Sequence, residues 1–162
     1  MISEKIRDAF NEQIKNELYS AYLYLSMAAY FHSLGLNGMA RWMKVQATEE
    51  IEHAQKFFDH IIEREGRVRL LALEQPRPEW SSPLDAWQNA HKHEQSVTSM
   101  INSLVKLAQE EKDNAAMPLL NWFVKEQIEE EASPLKIVQT LTRIGDSRSD
   151  LDRVDRELGE RE

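Results

Sequence analysis

The sequence predicts an all-α fold: a four-helix bundle with one long crossover and a short C-terminal fifth helix, forming a single domain over residues 1–162. Three observations carry this expectation. Gly and Pro number only five each, while Ala, Leu, Glu, Gln and Lys, all good helix formers, are abundant. Apolar residues recur at alternating spacings of four and three along four segments of about 28 residues each, the stripe of a bundle helix. Short links join the first segment to the second and the third to the fourth, but a long proline-containing stretch separates the two pairs.

Composition narrows the function classes. The chain is 41 % hydrophobic and 30 % charged, with a formal net charge of −8. That balance argues against a basic nucleic-acid surface and favours cations as partners. With no cysteine, the chain has no disulfide, no thiolate metal site, no iron–sulfur cluster and no fused rubredoxin-type Cys-x-x-Cys module. Met1-Ile2-Ser3-Glu4-Lys5 lacks the apolar core of a signal peptide, and no apolar run of about 18 residues could span a membrane. A soluble cytoplasmic protein is expected.

The first helix is predicted over about residues 3–32, with Ser3 as N-cap and Gly35 at the exit. Its seam is Phe10, Ile14, Glu17, Ala21, Tyr24, Ala28 and Phe31. The second, about 38–65 and ending at Gly66, has Met39, Met43, Gln46, Glu50, His53, Phe57 and His60 on its seam. The crossover, 66–82, carries Val68, Leu70, Leu71, Leu73 and Trp80, which are expected to lie against the bundle. Its roughly 17 residues can reach about 56 Å, more than the roughly 42 Å of a bundle helix, so the third helix can run parallel to the second. The third is predicted over about 83–111, with Pro83 at its first position and Asp85 in its first turn; its seam includes Trp87, Glu94, Thr98 and Ile101. After a tight turn at Lys112-Asp113-Asn114 the fourth spans about 115–143, with Leu120, Phe123, Gln127, Glu130, Pro134, Ile137 and Leu141 on its seam. Pro134 removes the backbone bond to the carbonyl of Glu130 and is expected to kink this helix. A short amphipathic piece, about 147–158, follows Gly145.

Every seam is interrupted by polar residues, and always in the middle. Glu17 lies about 14 residues into its helix, Glu50 about 12, Glu94 about 11 and Gln127 about 12, or roughly 16–21 Å from an end. Glu50 and His53 share a face through the spacing Glu-x-x-His, a half-motif that is weak alone. Together with Glu17, Glu94, Gln127 and Glu130 it makes six polar groups converging on one layer. No Lys or Arg stands on any seam at that height, and burying several unpaired like charges is costly. A cation is the missing partner: two divalent ions carry +4 against the four carboxylates, with neutral His53 as nitrogen donor. Mostly oxygen ligands with one imidazole suit iron or manganese better than a structural zinc.

Four stretches give the layer a family likeness: Asn16-Glu17-Leu18-Tyr19-Ser20-Ala21-Tyr22-Leu23-Tyr24-Leu25, Glu49-Glu50-Ile51-Glu52-His53-Ala54, Lys92-His93-Glu94, and Trp122 through Glu131. Over essentially its whole length the sequence resembles the non-haem ferritins of the bacterial and archaeal type, which implies a ferritin-like fold. The resemblance implies one iron held by Glu17, Glu50 and His53 and a second by Glu50, Glu94 and Glu130, with Glu50 bridging. It implies that Gln127 hydrogen-bonds near the oxygen site and that Tyr24 donates an electron. It also implies a third iron site from Glu49, Glu126, Glu129 and Glu130. Bacterioferritins place a haem-binding Met where this chain has Ile51, so no haem is expected. They and the rubrerythrins repeat Glu-x-x-His in the fourth helix, where this chain reads Gln127-x-x-Glu130.

By this resemblance the protein is expected to be an iron store with ferroxidase activity. It would oxidise Fe²⁺ with O₂ or peroxide and keep Fe³⁺ mineral inside a hollow homo-oligomer, a 24-subunit shell, with no nucleic-acid or membrane partner. Two alternatives stand beside it: a di-iron oxygenase or peroxidase acting on a small substrate, and a storage subunit without an oxidation site. His32, His60, His91 and His93 are read as surface or seam residues, and Trp42, Trp87 and Trp122 as packing or subunit contacts.

Overall fold

A computed structural model describes all 162 residues. Five α-helices account for most of the chain: α1 (Glu4–Ser33), α2 (Asn37–Glu63), α3 (Pro83–Glu110), α4 (Met117–Ile144) and α5 (Arg148–Leu158). There is no strand, and no helix is long and apolar enough to cross a membrane.

The helix ends follow from local chemistry. Ser3 and Ser82 cap α1 and α3, accepting from the amides of Ile6 and Asp85. Between α3 and α4 the chain makes one 3₁₀ turn, Asn114–Ala116. The Asp113 side chain accepts from the Ala116 amide, so the fourth helix begins at Met117, later than the sequence suggests, with Pro118 in its first turn. At the end of α2 the left-handed residue is Glu65, with φ 63°, and the Gly66 amide reaches back to the Ile61 carbonyl at 2.8 Å. Gly66 is needed for a different reason: a Cβ there would sit 2.8 Å from the side chains of both Ile2 and Ile61. Pro134 is buried on the seam of α4, which continues through it as one helix.

Two apolar clusters fill the bundle. One holds the C-terminal half of α1 with the starts of α2 and α3 and the end of α4, around Phe31, Met39, Trp42, Trp87 and Leu141. The other holds the start of α1 with the ends of α2 and α3 and the start of α4, around Phe10, Phe57, Ile101, Leu120 and Phe123. Because α2 and α3 contribute their starts to one cluster and their ends to the other, they run parallel, each antiparallel to its hairpin partner. Ring contacts tie each cluster: Trp42 meets Trp87 edge-on at 4.9 Å, and Phe57 stacks on Phe123 at 4.5 Å.

The crossover is tied to α1 through polar contacts. Asn11 donates to the Arg67 carbonyl and accepts from the Arg69 amide, and the Ser26 hydroxyl donates to the Arg77 carbonyl. Trp80 is buried against Tyr30 and Val68 is partly buried. Leu70, Leu71 and Leu73 are exposed, contrary to the expectation that they cover the bundle. An extended segment held by its backbone directs some side chains away from the surface it crosses.

α2 has no side chain of its own to cap it and no acid in its first turn. Asp155 of α5 fills that role, its carboxylate accepting from the Met39 amide at 2.7 Å. The approach depends on Gly38, where a Cβ would lie 1.7 Å from the Asp155 carbonyl oxygen. Asp155→Ala is therefore expected to cost about 1 kcal/mol, the worth of an N-cap, and Gly38→Ala more, because backbone must move. Thermal denaturation with hydrogen exchange over residues 148–158 checks both; wild-type protection of α5 in Gly38→Ala would contradict the packing described.

Candidate metal centre

Between the two apolar clusters lies a polar layer. Glu17, Glu50, His53, Glu94, Gln127 and Glu130 are each between 1 % and 7 % exposed, too little for water to solvate a charge. The buried polar residues of the chain include no Lys or Arg. Helical spacing alone puts these groups here: each replaces an apolar residue on a seam whose neighbours on either side, such as Ile14 and Ala21 or Phe123 and Ile137, belong to the core.

Three sets of ligand atoms come together, each set lying within 4.8 Å: Glu17, Glu50 and His53; Glu50, Glu94 and Glu130; and His53, Glu126 and Glu130. Glu50 and Glu130 each belong to two sets, so neighbouring ions could share them. His53 Nδ1 lies 3.2 Å from Glu50 Oε2 and 3.9 Å from Glu17 Oε2, while its Nε2 lies 3.9 Å from Glu126 Oε1. Phe123 and Trp122 meet the imidazole edge-on, both at 5.5 Å, and fix its plane.

Four amide or hydroxyl groups hold the carboxylates. Gln13 Nε2 donates to Glu17 Oε1 at 3.0 Å. Gln46 Nε2 donates to Glu50 Oε1 at 2.9 Å and to Glu130 Oε2 at 2.6 Å. Gln127 Nε2 lies 3.2 Å from Glu94 Oε2 and 3.1 Å from Thr98 Oγ1, which itself donates to Glu131. The Tyr24 hydroxyl donates to Glu94 Oε1. Glu17 Oε2, by contrast, is buried with no hydrogen-bond partner, an acceptor left open in the middle of the first set.

The layer's protonation follows from burial and mutual repulsion. Burial, then the charge of Glu50, pushes Glu17 well above the usual carboxylate range and raises Glu94 to about 8. Burial, then the charge of Glu94, raises Glu130 to about 9. Glu50 lies below its ordinary value: burial opposes ionisation, but the hydrogen bond and charge of His53 outweigh it. His53 is raised reciprocally by Glu50, against its own desolvation. Burial and Glu94 keep Tyr24 a phenol. Without a cation the layer thus reduces to one ion pair, Glu50 with His53, among protonated carboxyls, and a bound cation must displace those protons.

The sites expected around this core are less uniformly assembled. Glu126 joins His53 and Glu130, whereas Glu49 and Glu129 belong to none of the three sets. Glu129 is exposed, and Glu49 pairs with Arg161 at 3.0 Å. Sequence reasoning passed over four supporting residues, among them Gln13, which stands one turn before Glu17. Gln46 and Thr98 stood on seams beside the acids, so their signal was available. His93, read as a surface or seam residue, is packed edge-on against Tyr24 at 5.9 Å with its Nε2 2.7 Å from the Ser20 hydroxyl, and burial lowers its proton affinity.

A carboxyl whose folded-state affinity for protons is raised binds more protons when native than when unfolded between its unfolded pKa, about 4.3, and its folded value. Stability then falls as pH rises across that window. With Glu94 at about 8 and Glu130 at about 9, the chelator-treated protein is expected to melt at progressively lower temperature from about pH 5 to about pH 9. Glu130→Gln is expected to flatten the upper part of the curve, and an unchanged slope in that variant would contradict the assignment.

A model of the ferritin family, described as a ferritin-like domain, matches residues 7–144. A bacterial non-heme ferritin of Bacteroides fragilis is 41 % identical over 161 residues, 99 % of this chain and 100 % of the relative. A bacterial non-heme ferritin of Staphylococcus aureus is 36 % identical over 161 residues, 99 % and 97 % of the two chains. Among solved structures, an open pore ferritin from the hyperthermophilic archaeon Archaeoglobus fulgidus superposes with a TM-score of 0.99 at 52 % identity, covering 100 % of both chains. A form of that ferritin engineered to be closed gives the same TM-score and identity, covering 100 % of this chain and 99 % of that one. With a family model spanning most of the bundle and relatives aligned end to end, the chain belongs to the ferritin family, in its bacterial and archaeal non-haem branch.

Proposed function

We propose that the protein is an iron store whose own subunit oxidises the iron. The observation that carries this reading is the buried layer itself: four carboxylates and one imidazole with no lysine or arginine among them, arranged as two ligand sets that share Glu50. In this reading Fe²⁺ is substrate. Glu17, Glu50 and His53 hold one ion, Glu50, Glu94 and Glu130 the other, and each ion gives one electron to O₂ or peroxide. Gln127 and Gln46 keep the carboxylates aimed, leaving their remaining lone pairs for metal. Tyr24, hydrogen-bonded to Glu94, is placed to donate a further electron. Glu126 and Glu130, with Glu49 and Glu129 nearer the surface, form a third iron site through which product leaves. Ferric mineral collects inside a 24-subunit cytoplasmic shell that needs no haem. Leu70, Leu71 and Leu73, exposed on the crossover, supply apolar area for contacts between copies.

The alternatives find less support. An oxygenase needs an apolar chamber beside the metals. A recess of about 400 Å³ does exist, but it is lined by Leu84, Leu141, Ile144, Leu151 and neighbours, with none of the layer's acids among its walls. A storage subunit without oxidation would have no use for the buried acids, which cost stability without a cation.

Anaerobic loading with Fe²⁺ followed by oxygen tests the reading. Wild type is expected to show a fast oxidation phase, and the Glu50→Ala/Glu130→Ala double variant to lose it, by a factor on the order of 100 or more, since the ligand common to both ions and a further ligand of one of them are gone. Size-exclusion chromatography tests storage separately. A particle of several hundred kDa is expected, and a species at the single-chain mass of 18.9 kDa would sink the shell.

A further inference from the structure

Arg161, next to last in the chain, is held more firmly than a terminal residue ordinarily is. Its guanidinium lies over the Trp42 ring, 4.1 Å from the centroid. Nη1 donates to the Trp42 carbonyl at 3.2 Å, and Nη2 donates to Gln46 Oε1 and to Glu49 Oε2, both at 3.0 Å. The Arg41 side chain in turn donates to the Arg161 carbonyl. The side chain is only 21 % exposed. A stacked guanidinium with a carboxylate, an amide and a carbonyl as acceptors is a built site for that cation.

Two of its partners belong to the metal centre. Glu49 is a ligand of the proposed third iron site. Gln46 accepts from Arg161 through its oxygen, which obliges its nitrogen to face Glu50 and Glu130, at 2.9 and 2.6 Å. The tail therefore touches the centre through one carboxylate and one amide, and through none of the Glu17 set.

We propose that Arg161 is the resident counter-cation of the third site: it holds Glu49 in an ion pair and aims Gln46, and a third divalent ion gains Glu49 only by displacing the C-terminal tail. The inference rests on the third site proposed above. The two central ions meet no such competitor, because none of the residues that hold them bonds to Arg161. Filling is ordered as a result, with the central pair first and the third position only when cation is in excess. Loss of the guanidinium from Gln46 then frees that amide to turn away from Glu50 and Glu130, which couples the third ion to the central pair.

Calorimetric titration of the assembled, metal-free protein with Co²⁺, a redox-silent probe, tests this. In Arg161→Ala the third ion is expected to bind on the order of tenfold tighter than in wild type, the scale of one lost charge-assisted competitor. Arg161→Lys, which keeps the charge but not the forked geometry, is expected between the two. In a Glu49→Gln background Arg161→Ala is expected to lose that tenfold gain, leaving only the smaller effect that passes through Gln46. Hydrogen exchange supplies a second readout: residues 159–162 of wild type are expected to lose protection as the third equivalent binds, and not with the first two. A third ion of equal affinity in wild type and Arg161→Ala, or a tail still protected at saturation, overturns the role of Arg161. A third ion absent from both overturns the third site and the proposal with it, and failure of the first two to bind overturns the central pair alone.

Discussion

One electrostatic constraint organises the molecule: a layer of four carboxylates buried at mid-bundle with one imidazole, His53, and no lysine or arginine to oppose them. It divides the apolar core in two, so that neither half is continuous through the bundle. Each half must then be well packed in its own right, and the aromatic contacts of Trp42 with Trp87 and Phe57 with Phe123 sit on either side of the break. A stable fold would place leucines there. Retaining carboxyls trades stability for a site, the usual compromise of a functional centre.

The layer copes without a cation by holding protons. Glu94 and Glu130 stay neutral, and only Glu50 ionises, against His53. Protonation leaves the layer without net charge, and its geometry is kept through amides: Gln13, Gln46 and Gln127 each present a nitrogen to a carboxylate oxygen. An amide can support either protonation state of its partner, which a lysine could not do without competing for the site. The same logic explains why the counter-charge at the periphery is an arginine, Arg161, from outside the four bundle helices. There, at Glu49, a removable cation is compatible with traffic.

Much of this was legible in the sequence because a helix converts spacing into position. Glu17, Glu50, Glu94 and Glu130 stood at one depth on four apolar stripes, and a periodicity of 3.6 residues leaves little freedom for where they meet. Gln46 and Thr98 were visible on the same stripes, though their donor roles needed distances. What could not be read involved contacts without periodicity. Arg161 reaches Glu49 across more than a hundred residues of chain, from a tail with no stripe of its own. Asp155 caps α2 for the same reason unseen, since its partner amide is unrelated in sequence. The crossover leucines were expected inside because they are apolar, but backbone anchoring at Asn11 and Ser26 decides which way that segment faces. Of the acids expected at the third site, Glu49 and Glu129 lie outside the clusters: Glu129 is exposed, one position off the seam residue Glu130, and Glu49 is paired with Arg161.

The most direct measurement of the central claim is anomalous scattering at the iron edge from crystals soaked anaerobically in Fe²⁺. The expected result is two peaks flanking Glu50, one beside Glu17 and His53 and the other beside Glu94 and Glu130. Iron found only on the acidic surface, with the mid-bundle layer empty, would contradict it.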